Sequence, residues 1–243
     1  MSSKQRLVLF DIDGTLIETG GAGLSSLRDG FYDAFPEIAD RPFPDLDLGG
    51  ATDGGVAMFL FDHFGLEDSD HGRAHFYGHY IVHLERRLVE CEDEGSGRVL
   101  TGVEQLLVGL RENGSYELAV LTGNIQDGAW MKLRHYGLDP YFSYGAFGDD
   151  HHDRNELGPV ALQRAEECGG IAFDPRNVVI VGDTLKDVAC ARAFGARVVA
   201  VATGAVSRED LASANPDQIL EDFSDHTASF NAIDRLFSEE EQC

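Results

Sequence analysis

Lysine is scarce in this chain. Only three of its 19 basic residues are lysines, and they face 43 acidic residues, which gives a formal net charge of −24 over 243 residues. A surface this acidic repels other polyanions, so the composition argues against nucleic-acid and membrane-surface partners. It also follows that any anionic ligand must find a local positive centre.

Paired cysteines and long apolar runs are also missing. The four cysteines, Cys91, Cys168, Cys190 and Cys243, form no CxxC pair, which favours free thiols in a reducing compartment over a disulfide framework or a zinc site. No apolar stretch approaches the roughly 20 residues of a membrane-spanning helix, and residues 1–6 do not resemble a signal peptide. We therefore expect a cytoplasmic protein without a membrane partner.

From about residue 98 onward the chain alternates regularly between strand and helix patterns. Short apolar runs typical of buried strands alternate with helical stripes bounded by glycine. The predicted strands are residues 118–121, 144–147, 178–181 and 197–201, and the predicted helices are residues 103–110, 126–136, 159–168 and 185–194. This alternation indicates an α/β fold, a Rossmann-like parallel sheet with helices on both faces.

The segment from residue 18 to residue 95 interrupts this alternation. Apolar residues recur there at helical spacing in three stretches, residues 24–35, 56–64 and 76–88, and no strand is predicted. We expect a small all-helical cap inserted after the first strand. The predicted units are a core of residues 1–17 and 96–243 and a cap of residues 18–95.

Acidic residues follow two of the predicted strands. The apolar run 7–10 ends in Asp11 and Asp13, and a later strand ends at Asp183, with Asp187 one helical turn beyond it. Because parallel strands end at one edge of a sheet, these acids are expected to converge. Carboxylates this close repel and offer the hard oxygen ligands that Mg²⁺ prefers. All four are candidate Mg²⁺ ligands. For Asp187 the alternatives are a contact with a metal-bound water or a hydrogen bond that holds a neighbouring base. Asp183, taken alone, is also typical of a turn that caps a helix.

A candidate phosphate site lies between the strand 118–121 and the following helix. Thr122, Gly123 and Asn124 combine a hydroxyl, an unobstructed backbone N–H and a helix N-terminus, which together suit an anion. The same three residues also make an ordinary turn and helix cap.

In this order the motifs resemble the haloacid dehalogenase superfamily. They are Asp-Ile-Asp-Gly-Thr (11–15), Leu-Thr-Gly-Asn (121–124) and Val-Gly-Asp-Thr-Leu-Lys-Asp-Val (181–188), and the resemblance covers residues 6 to about 202. A cap between the first two motifs resembles the phosphoglycolate phosphatase-like branch, as does the short segment Gly49-Gly50-Ala51-Thr52-Asp53.

The resemblance implies a role for each motif residue. Asp11 would be the nucleophile that forms an aspartyl-phosphate, and Asp13 the general acid and base. The carboxylate of Asp11, the main-chain carbonyl of Asp13 and Asp183 would bind Mg²⁺, and Thr122 would hydrogen-bond the transferring phosphoryl group. An acid at position 13 favours phosphate over carbon–halogen chemistry, because only an alkoxide leaving group needs a proton.

The chain departs from the superfamily at one position. The usual lysine before the last motif is absent, since no lysine occurs between Lys132 and Lys186. Arg154, which follows His151-His152 at the same end of the sheet, is the best positional substitute, because a guanidinium stays charged and can pair with both Asp11 and phosphate. The alternative is a surface arginine in an acidic loop.

The predicted function is a Mg²⁺-dependent phosphatase for a small, phosphoglycolate-like phosphorylated metabolite. The alternatives are a phosphomutase, which needs the same aspartate pair, and a phosphate-binding protein with little turnover. Four histidines at four-residue spacing in the cap, His71, His75, His79 and His83, also match zinc-ligand spacing. Because they lie beside the apolar stripe of one helix, we interpret them as boundary residues of an amphipathic helix.

Overall fold

The central element of the fold is a six-stranded sheet in which every strand runs parallel to its neighbours, in the order β5-β4-β1-β6-β7-β8. The computed structural model describes residues 6–46 and 48–238. The strands are β1 (Arg6–Phe10), β2 (Ile17–Thr19), β3 (Gly97–Val99), β4 (Tyr116–Leu121), β5 (Gly145–Ala146), β6 (Val178–Gly182), β7 (Arg197–Val201) and β8 (Gln218–Leu220). β2 and β3 form a separate antiparallel pair.

Helices cover both faces of this sheet. They are α1 (Ala22–Ala34), α2 (Asp53–Phe64), α3 (Asp70–Asp93), α4 (Val103–Asn113), α5 (Gln126–His135), α6 (Leu157–Gly169), α7 (Leu185–Phe194), α8 (Arg208–Ser213) and α9 (His226–Ser238). Apolar side chains of α4, α5 and α9 pack on one face, and those of α6, α7 and α8 pack on the other. The predicted fold class is confirmed.

The sequence of β1 explains why it occupies the centre of the sheet. Leu7 and Leu9 pack on the α6–α7 side, and Val8 and Phe10 pack on the α4–α5 side. All four side chains are fully buried. A strand with apolar residues on both faces needs helices on both sides, as parallel sheets have. The acids that follow β1 therefore emerge at the middle of the sheet edge.

Three helices, α1–α3, lie between β2 and β3, and we call this segment the helical insertion. Its core is aromatic: the ring of Phe31 contacts the rings of Phe35, Phe43, Phe61, Phe64 and Phe76. α1 approaches α3 closely at Gly30, where a Cβ would lie 2.6 Å from the backbone nitrogen of Tyr80. The domain bounds 18–95 stay a prediction, although β2 and β3 join the entry and exit of the insertion through pairs such as Ile17 with Val99.

The predicted elements after residue 98 all occur, with shifts of a few residues at their ends. The prediction of no strand in residues 18–95 was wrong at its edge, because β2 extends to Thr19. The prediction lacks four elements of the fold, β3, β8, α8 and α9. The strands β3 and β8 have only three residues each, which is too short for a recognisable periodicity. Among the described residues, no helix combines the length and the apolar character that crossing a membrane requires.

The cap histidines make local contacts with α1. His75 lies 3.2 Å from the carbonyl oxygen of Ala34, and His83 lies 2.7 Å from the Asp33 carboxylate. Cys91, Cys168 and Cys190 are free thiols, while Cys243 lies outside the described residues.

Candidate active site

A tight turn after β1 places Asp11 and Asp13 at the sheet edge. The backbone N–H of Asp11 donates to Val181 at 3.0 Å, and that of Gly14 donates to Ile17 at 2.8 Å. Gly14 has φ +78°, and a Cβ there would lie 2.4 Å from an oxygen of Asp183. This turn therefore requires glycine both for its backbone conformation and for the close approach of Asp183.

Three buried carboxylates meet at this edge. Asp11, Asp183 and Asp187 each offer an oxygen within 4.8 Å of the others. Burial raises the pKa of Asp11 to about 6, with Asp187 adding to the rise although Arg154 opposes it. Burial and the charges of Asp11 and Asp187 raise the pKa of Asp183 well above its usual value. Ionisation of these carboxylates is unfavourable because they are buried next to one another. A cation bound among their oxygens would stabilise the ionised forms, so the cluster is suited to accept one.

Arg154 supplies the positive charge next to this cluster. It begins a short 3₁₀ turn (Arg154–Glu156), and its side chain is only 4% exposed. One guanidinium nitrogen lies 3.1 Å from the Asp11 carboxylate and also pairs with Asp187. The other oxygen of Asp187 accepts from the backbone N–H of Thr184 at 3.0 Å and from its hydroxyl at 2.6 Å. Asp187 thus fixes Arg154 at the start of α7.

Asp13 lies in a different environment from Asp11. Lys132 donates to both oxygens of its carboxylate, at 2.8 and 2.7 Å, and the side-chain amide of Asn124 donates at 2.7 Å. Burial raises the pKa of Asp13, but the charge and hydrogen bonds of Lys132 outweigh it, and the pKa is lowered. The side chain remains 39% exposed, so it is accessible from the cavity.

Thr122 and Asn124 lie beside this pair, between β4 and α5. The Thr122 hydroxyl oxygen accepts from the Asn124 amide at 2.8 Å, and the Asn124 carbonyl accepts from Lys132 at 2.6 Å. At Gly123 a Cβ would lie 1.9 Å from the Ala51 carbonyl oxygen and 3.3 Å from Arg154. Only glycine therefore allows the helical insertion to approach this loop.

Lys132 is a site residue that the sequence prediction did not include. Its side chain is 2% exposed, and it lies on the buried face of α5 with Ala129 and Leu133. A lysine on the apolar stripe of a helix, in a chain with three lysines, was the available signal. Lys132 follows the second motif, whereas the family's usual lysine precedes the last motif.

The helical insertion is docked beside the site by polar contacts. The backbone N–H groups of Asp53 and Gly54 donate to the carbonyls of Gly123 and Gly148, at 2.7 and 3.0 Å. The Thr52 hydroxyl donates to the carbonyl of His152 at 2.6 Å. His151 and His152 stack on each other, with ring centroids 4.5 Å apart, so His152 meets the insertion through its backbone.

Asp53 is a second residue absent from the predicted site. Its carboxylate accepts from the backbone N–H of Ile125 at 2.9 Å, and burial raises its pKa to about 6. It therefore ties α2 to the loop that carries Thr122.

The acidic cluster predicts a pH-dependent response to Mg²⁺. We expect Mg²⁺ to raise the melting temperature near pH 7 and to raise it less as the pH falls below about 6, because the raised pKa of Asp11 lets protons compete for the same oxygens. Thermal unfolding with and without Mg²⁺ across this pH range measures the effect. Asp183→Asn should abolish the response and the exposed control Asp174→Asn should keep it; an equal response in both variants would contradict the assignment.

Known proteins resemble this chain in both sequence and fold. Residues 5–195 match the haloacid dehalogenase-like hydrolase family. Pyrophosphatase PpaX of Bacillus pumilus is 28% identical over 228 residues, which cover 93% of this chain and 96% of the relative. A phosphoglycolate phosphatase of Agrobacterium fabrum is 27% identical over 221 residues, which cover 90% and 89%. The crystal structure of a hydrolase from Pseudomonas syringae superposes with a TM-score of 0.68 at 20% identity and covers 93% of this chain and 98% of its own. The resemblance drawn from the three motifs is thus confirmed, and the chain belongs to the haloacid dehalogenase-like hydrolase family.

Proposed function

We propose that this protein is a Mg²⁺-dependent phosphatase that hydrolyses a small phosphorylated metabolite through an aspartyl-phosphate on Asp11. The observation that carries the proposal is the separation of two neighbouring aspartates into unlike environments. Asp11 lies 3.1 Å from Arg154, whereas Asp13 accepts from Lys132. Carboxylates whose surroundings push their pKa values apart are suited to different catalytic roles. Two relatives are named as a pyrophosphatase and a phosphoglycolate phosphatase, and these names support the same reaction class.

In the first step a carboxylate oxygen of Asp11 attacks phosphorus, and the bond from phosphorus to the ester oxygen breaks. Asp13 protonates the departing alkoxide. Lys132 keeps Asp13 ionised before substrate binds, so the proton enters with the substrate. The monoanion of a phosphate monoester carries this proton, and it is populated near and below the second pKa of about 6. It passes to Asp13, whose carboxylate is accessible in the cavity.

In the second step a water molecule attacks the phosphorus of the aspartyl-phosphate. Asp13 accepts a proton from that water, the bond from phosphorus to the Asp11 oxygen breaks, and inorganic phosphate leaves. Asp11 is regenerated as a carboxylate, and Asp13 passes its proton to the departing phosphate, which restores the ionised form of Asp13. Splitting hydrolysis into two displacements lets one pair of aspartates serve both the leaving alcohol and the attacking water.

The phosphoryl group has donors on both sides. Arg154 reaches Asp11 with one nitrogen, and its other terminal nitrogen contacts only the Gly50 carbonyl among the described residues, at 3.5 Å. The Thr122 hydroxyl accepts from Asn124, which leaves its hydrogen for a phosphoryl oxygen. We assign Thr122, Gly123, Asn124 and Arg154 to phosphate binding.

A Mg²⁺ ion fits the remaining residues. The carboxylates of Asp11 and Asp183 and the main-chain carbonyl of Asp13 would hold it, and when bound it neutralises charge on the phosphoryl oxygens. Thr15 donates to Asp183 at 2.9 Å, which fixes that carboxylate. Asp187 is committed to Arg154 and Thr184, so we assign it to positioning Arg154 at the edge of the metal site.

Replacing the nucleophile tests the proposal. Asp11→Asn should lower Mg²⁺-dependent hydrolysis of p-nitrophenyl phosphate by at least about 10³-fold. We expect the fold to survive, because the substitution removes one of three buried carboxylates that repel one another. Release of inorganic phosphate and the melting temperature are the measurements, with the exposed Asp40→Asn as the matched control. Activity retained in Asp11→Asn would refute the mechanism. Phosphate bound without turnover in the unaltered protein would favour the binding-protein alternative, and phosphoryl transfer to a sugar phosphate without release would favour the mutase.

Lys132 should control the pH dependence of turnover. Without its ammonium the pKa of Asp13 rises. With Mg²⁺ at a saturating concentration, which favours the ionised form of Asp11, we expect the acidic limb of the kcat profile of Lys132→Met to move to higher pH by about one unit or more. The matched control is the exposed Lys186→Met, which should leave the limb in place. An unchanged limb in Lys132→Met would show that Lys132 does not hold Asp13 ionised.

Arg154 should act on the phosphoryl group as well as on the fold. Arg154→Ala should reduce kcat/KM by at least about 10²-fold, the typical cost of removing a transition-state donor. Arg154→Lys should recover part of that loss, because it restores the charge but not the paired donors. Steady-state kinetics on folded variants, with the exposed Arg176→Ala as control, measure this. Near-normal activity in Arg154→Ala would assign Arg154 a purely structural role.

A further inference from the structure

The cavity in front of Asp11 is bounded on its far side by the helical insertion. Its volume is about 390 Å³, close to the lower end of the roughly 300–1,000 Å³ typical of ligand pockets. The insertion lines it with four leucines and with several glycines that carry no side chain: Leu24, Leu27, Leu46, Leu48, Gly21, Gly23, Gly49 and Gly50. The group attached to the phosphate therefore meets a small and largely apolar chamber.

One of these leucines is unusual for its position. Leu24 is 43% exposed on α1, although the neighbouring apolar residues Leu27 and Phe31 of that helix are buried. Its side chain borders the cavity. A large apolar side chain left accessible at the mouth of a catalytic cavity is suited to contact an apolar part of a substrate.

The cationic side chains at the cavity both come from the core and are already paired. Among the described residues that line it, the only cationic side chains are Lys132 and Arg154, and neither belongs to the helical insertion. Lys132 donates to two oxygens of Asp13 and one of Asn124, which uses all three N–H donors of an ammonium group. Arg154 is engaged by Asp11 and Asp187 and faces the phosphoryl position.

The helical insertion contributes charge of the opposite sign. Its only ionisable lining side chain among the described residues, apart from the phenol of Tyr80, is the carboxylate of Asp53. A second anionic group on the substrate would leave water for leucines and a carboxylate, and the described residues that line the cavity offer it no unpaired cationic side chain. Such desolvation is strongly unfavourable.

This wall is fixed in place by the docking contacts of the insertion. Backbone and side-chain bonds of Thr52, Asp53 and Gly54 hold it to two core loops, the one between β4 and α5 and the one that follows β5. The insertion is thus fixed against the core beside the cavity.

We propose that the preferred substrates are phosphate monoesters of small, uncharged, predominantly apolar alcohols, and that esters carrying a second anionic group are disfavoured. This inference rests on the proposed function and narrows its substrate class. It opposes the phosphoglycolate-like substrate that the resemblance implies, because the glycolate carboxylate would face Leu24 and Asp53.

A size-matched pair of substrates tests the inference. Isobutyl phosphate and phosphoglycolate have nearly the same shape and differ in an isopropyl group against a carboxylate. We expect kcat/KM for isobutyl phosphate to exceed that for phosphoglycolate, and that for pyrophosphate, by about 100-fold. Equal or reversed preference would overturn the inference and leave the proposed function intact.

A binding measurement separates the two claims. The corresponding phosphonates, 3-methylbutylphosphonate and 3-phosphonopropionate, cannot be hydrolysed, and calorimetry reports their affinities whether or not the protein turns over a substrate. Tighter binding of the alkyl phosphonate by at least about tenfold supports the inference even if no ester is hydrolysed, an outcome that would refute only the proposed function. Equal binding of the two phosphonates would overturn the inference.

Leu24→Arg provides the complementary test, since it adds the missing cation at an exposed position. We expect the preference between the two substrates to shift toward phosphoglycolate by about tenfold or more. Met58→Arg is the matched control, because Met58 is equally exposed at 43% on the insertion and does not line the cavity. An equal shift in both variants would mean that net charge, not the cavity wall, sets the preference, and would overturn the inference.

Discussion

Three buried carboxylates share one guanidinium at the edge between β1 and β6, and the rest of the site depends on this imbalance. Asp11, Asp183 and Asp187 lie within reach of one ion, and Arg154 compensates only part of their charge. Gly14 and Gly204 admit Asp183 to this crowded position, where a Cβ on either would overlap it. A site built this way has the oxygen donors that suit a divalent cation, and we propose that a phosphoryl group binds next to it.

The two cations of the site have separate tasks. Arg154 lies against Asp11, the proposed nucleophile, while Lys132 binds Asp13 and Asn124. This division gives neighbouring aspartates in one turn opposite protonation preferences. It also pairs both cationic side chains that line the cavity, and we propose that this restricts which phosphate esters the site accepts.

Much of the fold and part of the site follow from the sequence, because both depend on local patterns. Alternating apolar runs and helical stripes predict the parallel sheet, and the topology brings Asp11, Thr122 and Asp183 to one edge. Lys132 and Asp53 could not be assigned in the same way. Their roles arise from contacts between distant segments, Lys132 with Asp13 and Asp53 with Ile125. The short strands β2 and β3 are stabilised by their mutual pairing and carry no signal of their own.

Phosphorylation of Asp11 during turnover is the step on which the proposed mechanism depends. It can be detected by rapid acid quenching of the enzyme with Mg²⁺ and p-nitrophenyl phosphate, followed by peptide mapping by mass spectrometry. We expect an acid-stable, hydroxylamine-sensitive phosphoryl group on the peptide that contains Asp11, formed and lost at rates that match turnover. Turnover with no phosphoryl group on that peptide, or with the group on another residue, would contradict it.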